Sequence, residues 1–166
     1  MATSLLIPVP EAEDLVASAR GGPGTPAHIT LAFPFVDLDA LTQEVLSELR
    51  SRFGAARAFD YRLVRTTRFL DVLFLDPEPA DPFRSLIRGL GADGPGGEGP
   101  PYPFGVTDIL PHVTVMRSEE PEALSRAEAA LAAALPVACR ATEAWAVTGD
   151  ANGPWRILSR FPLAEA

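Results

Sequence analysis

The spacing of apolar residues predicts short strands that alternate with helices. Leu41, Val45, Leu49 and Phe53 recur every fourth residue, which is typical of a helix with one buried face. Brief apolar or alternating runs between glycine and proline residues indicate strands. On this basis we expect strands at residues 4–9, 27–35, 59–63, 71–75, 109–116, 137–147 and 155–163, and helices at 11–20, 39–53, 81–90 and 119–135.

Glycine, proline and aspartate residues set the predicted ends of these elements. Gly54 is expected to end the second helix, and Asp81 is expected to cap the third, with Pro82 at its first helical position. Segment 91–105 contains six glycines and four prolines, a composition that favours a surface loop. This loop is either a tolerated insertion or a lid over a site.

Length and composition indicate a single domain over residues 1–166. Hydrophobic residues make up 47% of the chain and charged residues 22%, as in ordinary globular domains. No apolar run approaches the ~20 residues that cross a bilayer, and the N-terminus does not resemble a signal peptide. We therefore expect a cytoplasmic monomer without membrane contact. The single cysteine, Cys139, is expected to be a buried, inert thiol. Further core positions are expected for Phe33, Phe35, Trp145 and Trp155.

The basic residues exclude several chemistries. All fourteen are arginine, so a Schiff base, a P-loop lysine and an adenylated lysine are excluded. The net charge of −8 disfavours a large nucleic-acid footprint, which usually needs a basic surface. A small anionic substrate held by a few arginines remains compatible with this charge.

The two histidines of the chain occupy the same local sequence. His28 lies two residues before Thr30, and His112 lies two residues before Thr114, each pair in a predicted strand. Side chains two residues apart in a strand point to the same face, so each motif presents an imidazole beside a hydroxyl. The motifs are about half a chain apart, and each follows a predicted strand and helix. This arrangement indicates a pseudo-repeat of two similar lobes.

Two histidines and two threonines suit the cleavage of a phosphodiester. One proton must leave the attacking oxygen and another must reach the leaving oxygen, and histidine performs both tasks near neutral pH. Threonine hydroxyls can donate to the non-bridging oxygens. No metal is required, and two histidines with one distant cysteine are poorly suited to bind a metal ion. A single His-x-Thr is more often a packed histidine, but two copies in matching halves favour a catalytic function.

The two His-x-Thr motifs resemble those of the 2H phosphoesterases, a family that includes the bacterial 2′-5′ RNA ligase/RNA 2′,3′-cyclic phosphodiesterase group. The resemblance covers nearly the whole chain and rests on LLIP at residues 5–8, HITLAFPF at 28–35 and PHVTV at 111–115. It implies an α+β fold of two pseudo-symmetric lobes, each a small antiparallel sheet flanked by helices, with both motifs in a central cleft.

The same resemblance implies a function. The chain would be a metal-independent phosphoric diester hydrolase without a cofactor, opening a 2′,3′-cyclic phosphate or a related 2′-5′ linkage. Its partner would be a nucleotide or a short RNA end. His112 would activate the attacking water, His28 would protonate the leaving oxygen, and Thr30 and Thr114 would bind the phosphate oxygens.

Three arginines and one tyrosine are further candidates for substrate binding. Arg68 and Arg117, like Arg65, could make bidentate contacts to a phosphate, although surface arginines are common. Tyr102, in the predicted loop, could stack on a nucleobase or could attach the loop to the core.

Other functions are compatible with the same residues. One is RNA 2′-5′ ligation or end processing on a tRNA-like RNA, which the net charge disfavours. A second is a nucleotide-binding module without turnover, which would not need two intact imidazoles. A Ser- or Cys-dependent esterase is disfavoured because the chain has no Gly-x-Ser-x-Gly elbow.

Overall fold

The computed structural model describes residues 2–22, 24–90, 110–149 and 155–165. Within these ranges the strands are β1 (Thr3–Pro8), β2 (His28–Ala32), β3 (Phe59–Phe69), β4 (Val72–Glu78), β5 (Val113–Arg117), β6 (Val137–Ala141), β7 (Glu143–Thr148) and β8 (Arg156–Pro162). The α-helices are α1 (Glu13–Arg20), α2 (Gln43–Ala55), α3 (Asp81–Arg88) and α4 (Pro121–Ala132). The predicted loop 91–105, with Tyr102, lies outside the described residues. No helix in the described ranges is long and apolar enough to cross a membrane.

The strands form an antiparallel sheet in the order β6-β3-β4-β5-β2-β1-β7-β8. Its two four-stranded halves correspond to the two predicted lobes. Each half contains the sequence strand, helix, strand, helix: β1-α1-β2-α2 in the first and β4-α3-β5-α4 in the second. The α+β class and the pseudo-repeat are therefore confirmed. The two predicted sheets are continuous, because β2 pairs with β5 at Ile29 and Val113.

The core lies between one face of the sheet and the helices. Alternate residues of the central strands are buried, as the period of a strand requires; they include Leu5, Ile7, Ile29, Leu31, Leu73, Leu75 and Val113. The helices contribute buried residues three or four positions apart, including Leu49 and Phe53 from α2, Phe83 and Ile87 from α3, and Leu124 and Leu131 from α4. The opposite face of the sheet carries polar residues together with apolar ones such as Leu6 and Val72, which are buried but lie outside this core.

Two predicted helix ends differ from the structure. Asp81 is the first residue of α3 rather than its cap, and the capping position is Ala80. The Asp81 carboxylate instead forms an ion pair with Arg84 at 2.9 Å, within the first turn of the helix. Gly54 does not end α2, which continues to Ala55.

Three of the aromatic residues predicted for the core lie elsewhere. Phe33 is 54% exposed because β2 ends at Ala32, so the alternation that would have buried it stops there. Trp145 and Trp155 are half-buried and lie outside the hydrophobic cluster. Phe35 and Cys139 are buried, as predicted.

Candidate active site

Pairing of β2 with β5 brings the two His-x-Thr motifs together. Ile29 is directly opposite Val113, and both side chains are fully buried in the core. Because the strands are antiparallel, this register sets His28 opposite Thr114 and Thr30 opposite His112. All four side chains point away from the core, to a surface that we call the histidine face. Diagonal neighbours in such a ladder are about 7–8 Å apart, so the two imidazoles flank a common space.

The strands on either side extend this face. On β1, Leu6 is opposite Thr30 and Pro8 is opposite His28. On β4, Phe74 is opposite Thr114. The same relationship thus recurs in both halves: β2 lies between β5 and β1, and β5 lies between β2 and β4.

Both imidazoles are oriented by a backbone carbonyl two residues earlier. Nδ1 of His28 lies 2.7 Å from the carbonyl oxygen of Pro26, and Nδ1 of His112 lies 2.8 Å from that of Leu110. A carbonyl oxygen only accepts, so Nδ1 must carry the proton in both rings. Nε2 is then the nitrogen that exchanges protons: it accepts when the ring is neutral and donates when the ring is charged.

An aromatic ring packs against each imidazole. The Trp155 ring meets that of His28 edge to face, with centroids 4.6 Å apart. The Phe74 ring is tilted against that of His112, with centroids 4.3 Å apart. These contacts restrict rotation of both rings and place apolar surface beside them, which strengthens electrostatic interactions at the site.

Burial is the main influence on the pKa of His28. It lowers this pKa below the ordinary value of 6.5, since a charged imidazole is poorly solvated there. The hydrogen bond to Pro26 acts in the opposite direction, the neighbouring His112 lowers the pKa further, and Glu13 raises it. In the free protein, therefore, His28 loses its proton more readily than an exposed histidine, and an anionic ligand would favour its charged form.

The candidate arginines occupy different faces. Arg117 pairs with Val72, two residues before Phe74, and so shares the histidine face with Thr114; its guanidinium is 3.7 Å from the Asp71 carboxylate. Arg68 is not brought to this face. Its guanidinium donates to the Ser125 hydroxyl at 2.7 Å and lies 3.6 Å from Glu128, both on α4.

Arg65 and Asp76 form a further charged pair on the histidine face. They are opposite each other in the β3–β4 ladder, and Nε of Arg65 is 3.2 Å from the Asp76 carboxylate. Asp76 is two residues from Phe74, so the pair lies beside the second motif. In the described part of the chain, no three or more His, Cys, Asp or Glu side chains are grouped closely enough to hold a metal ion.

Glu13 is a site residue that the sequence did not indicate. Its carboxylate accepts a hydrogen bond of 2.6 Å from the backbone N–H of Ala27, directly before His28. In the sequence it is one of several acidic residues in the first turn of a helix, where such residues are common for reasons unrelated to function. Nothing local links it to a residue fourteen positions later.

One family model and several solved structures match this chain. The family model described as "2′-5′ RNA ligase superfamily" matches residues 9–153. LigT from E. coli, crystallised with 3′-AMP, has the same fold with a TM-score of 0.67 and 17% identity, over 98% of this chain and 97% of that one. TT0787 from Thermus thermophilus also has a TM-score of 0.67, with 16% identity over 99% of both chains.

A third solved structure, described as a phosphoesterase, is 20% identical over 98% of both chains with a TM-score of 0.58. No curated protein matches the sequence significantly. The match to the family model spans most of the chain and includes both His-x-Thr motifs. The chain therefore belongs to the 2′-5′ RNA ligase superfamily, as its resemblance to the 2H phosphoesterases implied.

Proposed function

We propose that the protein is a metal-independent phosphodiesterase that opens a 2′,3′-cyclic phosphate by acid–base catalysis with His28 and His112. The observation that carries the proposal is the pairing of Ile29 with Val113, which sets two equivalent His-x-Thr motifs diagonally across one junction. Each imidazole is bound through Nδ1 to a backbone carbonyl, and each therefore has Nε2 available for proton transfer.

The reaction begins with the attack of water on phosphorus. His112, with Nε2 unprotonated, accepts a proton from the water as the new P–O bond forms. His28, with Nε2 protonated, donates a proton to the ribose oxygen as the old P–O bond breaks, and the product is a phosphomonoester with one free ribose hydroxyl. The diagonal arrangement supports acid–base catalysis by two groups, because a phosphate bound between the imidazoles would have one of them on each side. Which histidine serves as base follows the family resemblance.

The threonine hydroxyls would stabilise the developing negative charge. Thr30 lies opposite His112 and Thr114 opposite His28, so each hydroxyl is beside the imidazole of the other motif. From these positions the hydroxyls can donate to the non-bridging oxygens of the phosphate. Arg117, on the same face, adds a positive charge that would attract the substrate.

The substrate class is a nucleotide or a short RNA end. LigT from E. coli has been crystallised with 3′-AMP, with NADP+ and with ATP, which supports a nucleotide as the ligand of a protein with this fold. The net charge of −8 disfavours a long RNA, because each phosphate outside the site would be repelled. We expect the protein to act as a monomer.

The test is hydrolysis of 2′,3′-cyclic AMP, GMP, CMP and UMP in EDTA, with chromatographic identification of the monoester. We expect turnover by the wild-type protein and a loss of ~10²–10⁴-fold in His28→Ala and in His112→Ala. Loss of activity in EDTA that a divalent cation restores would contradict the metal-independent mechanism. If RNA with a 2′-5′ linkage were a substrate and no cyclic nucleotide were, the ligase or end-processing alternative would replace ours. Tight nucleotide binding without any turnover would indicate a binding module.

A further inference from the structure

One peptide group lies between a carboxylate and an active-site imidazole. The carbonyl of Pro26 accepts a hydrogen bond from Nδ1 of His28 at 2.7 Å. The N–H of Ala27, which belongs to the same peptide group, donates to Oε2 of Glu13 at 2.6 Å. Glu13, the Pro26–Ala27 peptide and His28 thus form a continuous chain of two hydrogen bonds.

A peptide group can transmit polarisation between its two ends. Its C–N bond has partial double-bond character, so a negative charge at the N–H increases the electron density on the carbonyl oxygen. Hydrogen bonds in such a chain strengthen one another. A charged acceptor at Ala27 therefore makes the Pro26 carbonyl a better acceptor for the Nδ1–H of His28.

The second motif lacks this chain. Nδ1 of His112 contacts the carbonyl of Leu110 at 2.8 Å, in the equivalent position. The nitrogen of that peptide group belongs to Pro111, which has no N–H and cannot donate to a carboxylate. Two motifs that match in their imidazoles and threonines thus differ in the residue directly before the histidine.

We propose that Glu13 is a positioning residue that acts on His28 through the Pro26–Ala27 peptide and makes the two histidines chemically unequal. The inference rests on the proposed function, and it adds a physical reason why one histidine would act as the acid and the other as the base. Glu13 stabilises the charged imidazole of His28 and holds its remaining proton on Nδ1 when it is neutral. Glu13 thus favours the protonated form of His28, from which Nε2 can donate, whereas the Leu110–Pro111 peptide offers His112 no such support.

The charges that face His28 agree with this role. Burial has the largest effect on the pKa of His28 and lowers it. His112, directly before β5, lowers it further, and Glu13, from α1, raises it by less than His112 lowers it. Trp155, whose ring packs against that of His28, carries no charge. Glu13 therefore offsets part of the cost of a charged imidazole in a buried position.

The test is a titration of the two histidines by nuclear magnetic resonance in the wild-type protein and in Glu13→Gln. The chain contains two histidines, so a His112→Ala spectrum assigns both signals. We expect the pKa of His28 to fall in Glu13→Gln, with a smaller fraction of the Nδ1–H tautomer in its nitrogen shifts. Asp14→Asn is the matched control, since it removes an exposed charge from the adjacent residue of α1 and should leave the pKa of His28 unchanged.

An unchanged titration of His28 in Glu13→Gln, or an equal shift in Asp14→Asn, would overturn the proposal. A folded Ala27→Pro variant gives a second test, because it removes the peptide N–H while keeping the carboxylate. We expect it to weaken the Nδ1–H preference of His28, since the Pro26 carbonyl remains as an acceptor without the charge behind it, and an unchanged tautomer fraction would show that Glu13 does not act through the peptide. None of these measurements needs a substrate, so their failure leaves the phosphodiesterase proposal standing. Absence of turnover in the wild-type protein would instead overturn the phosphodiesterase proposal and the catalytic role of the Glu13 contact, but not its measured effect on His28.

Discussion

Ile29 of β2 lies directly opposite Val113 of β5, and this residue pair joins the two halves of the sheet. Both side chains are fully buried on the core side. Since a shift of one residue in a strand exchanges its two faces, burial of these two residues also fixes the outward direction of the histidines and threonines beside them. The packing of the core and the geometry of the candidate site therefore depend on the same pair.

Truncation of this pair should destabilise the protein. We expect Ile29→Ala to lower the free energy of unfolding by about 2–5 kcal/mol, because it removes buried methyl groups and leaves a cavity. Urea unfolding at 25 °C measures the change. The control is Ile157→Ala, at a position that is 37% exposed, which should cost about 1 kcal/mol or less. Equal losses in both variants would show that the junction is not a well-packed part of the core.

The threonine hydroxyls should contribute to turnover rather than to folding. Thr30→Val and Thr114→Val keep the side-chain shape and remove the hydroxyl, so we expect each to lower kcat by about 10²-fold or more, as for the loss of one oxyanion donor. Steady-state kinetics on a cyclic nucleotide measure this change. Thr142→Val, at an exposed position between β6 and β7, is the control and should retain full activity. Wild-type kcat in both motif variants would remove the threonines from the mechanism.

Arg117 and Arg68 should differ in their effect on substrate binding. Arg117 lies on the histidine face, so Arg117→Ala should raise KM by about tenfold, the usual value of one charge-assisted contact to a phosphate. Arg68 is bound to α4, so Arg68→Ala should leave KM unchanged and cost about 1 kcal/mol of stability. If Arg68→Ala raised KM more than Arg117→Ala did, the assignment of these side chains to opposite faces would be wrong.

The lowered pKa of His28 should appear in the pH dependence of stability. When the pKa of a histidine is lower in the folded state, the unfolded state binds more protons between the two pKa values, so stability rises with pH. The contribution is complete above the ordinary value of 6.5 and is lost as the pH falls through the folded pKa. Wild-type protein should thus lose more stability on acidification below 6.5 than His28→Gln does, as measured by urea unfolding at several pH values. Parallel curves for the two proteins would contradict a lowered pKa.

The sequence predicts most of the helices and strands and both motifs, but residues 137–147, predicted as one strand, form the two strands β6 and β7. The predicted strands 27–35 and 109–116 are strands in part, as β2 and β5. The period of a strand places His28 beside Thr30 and His112 beside Thr114, each pair on one face. The pairing that brings them together involves residues far apart in the chain. It depends on the packing of Ile29 and Val113, and it was accessible only through the family resemblance.

The failures have two physical causes. Hydrophobicity does not distinguish a core residue from an aromatic side chain that lines a site, which is why Trp155 was wrongly predicted to lie in the core. Phe33 was wrongly predicted to be buried because the alternation of the strand stops one residue before it. Irregular ladders and long-range contacts account for the others. Shifts of register within the β3–β4 and β4–β5 ladders obscure which face holds Arg68 and which holds Arg117, and the contact from Glu13 to Ala27 joins a helix to a loop.

The central claim is that His28 and His112 act as a unit on one phosphate. It is tested most directly by kcat/KM on a cyclic nucleotide for His28→Ala, His112→Ala and the double variant, with folding of each checked by circular dichroism. Residues that act together lose nearly all of their effect when either is removed, so the double variant should be about as slow as the slower single variant. Losses that multiply in the double variant, or a single variant with wild-type activity, would show that the two histidines do not share a reaction.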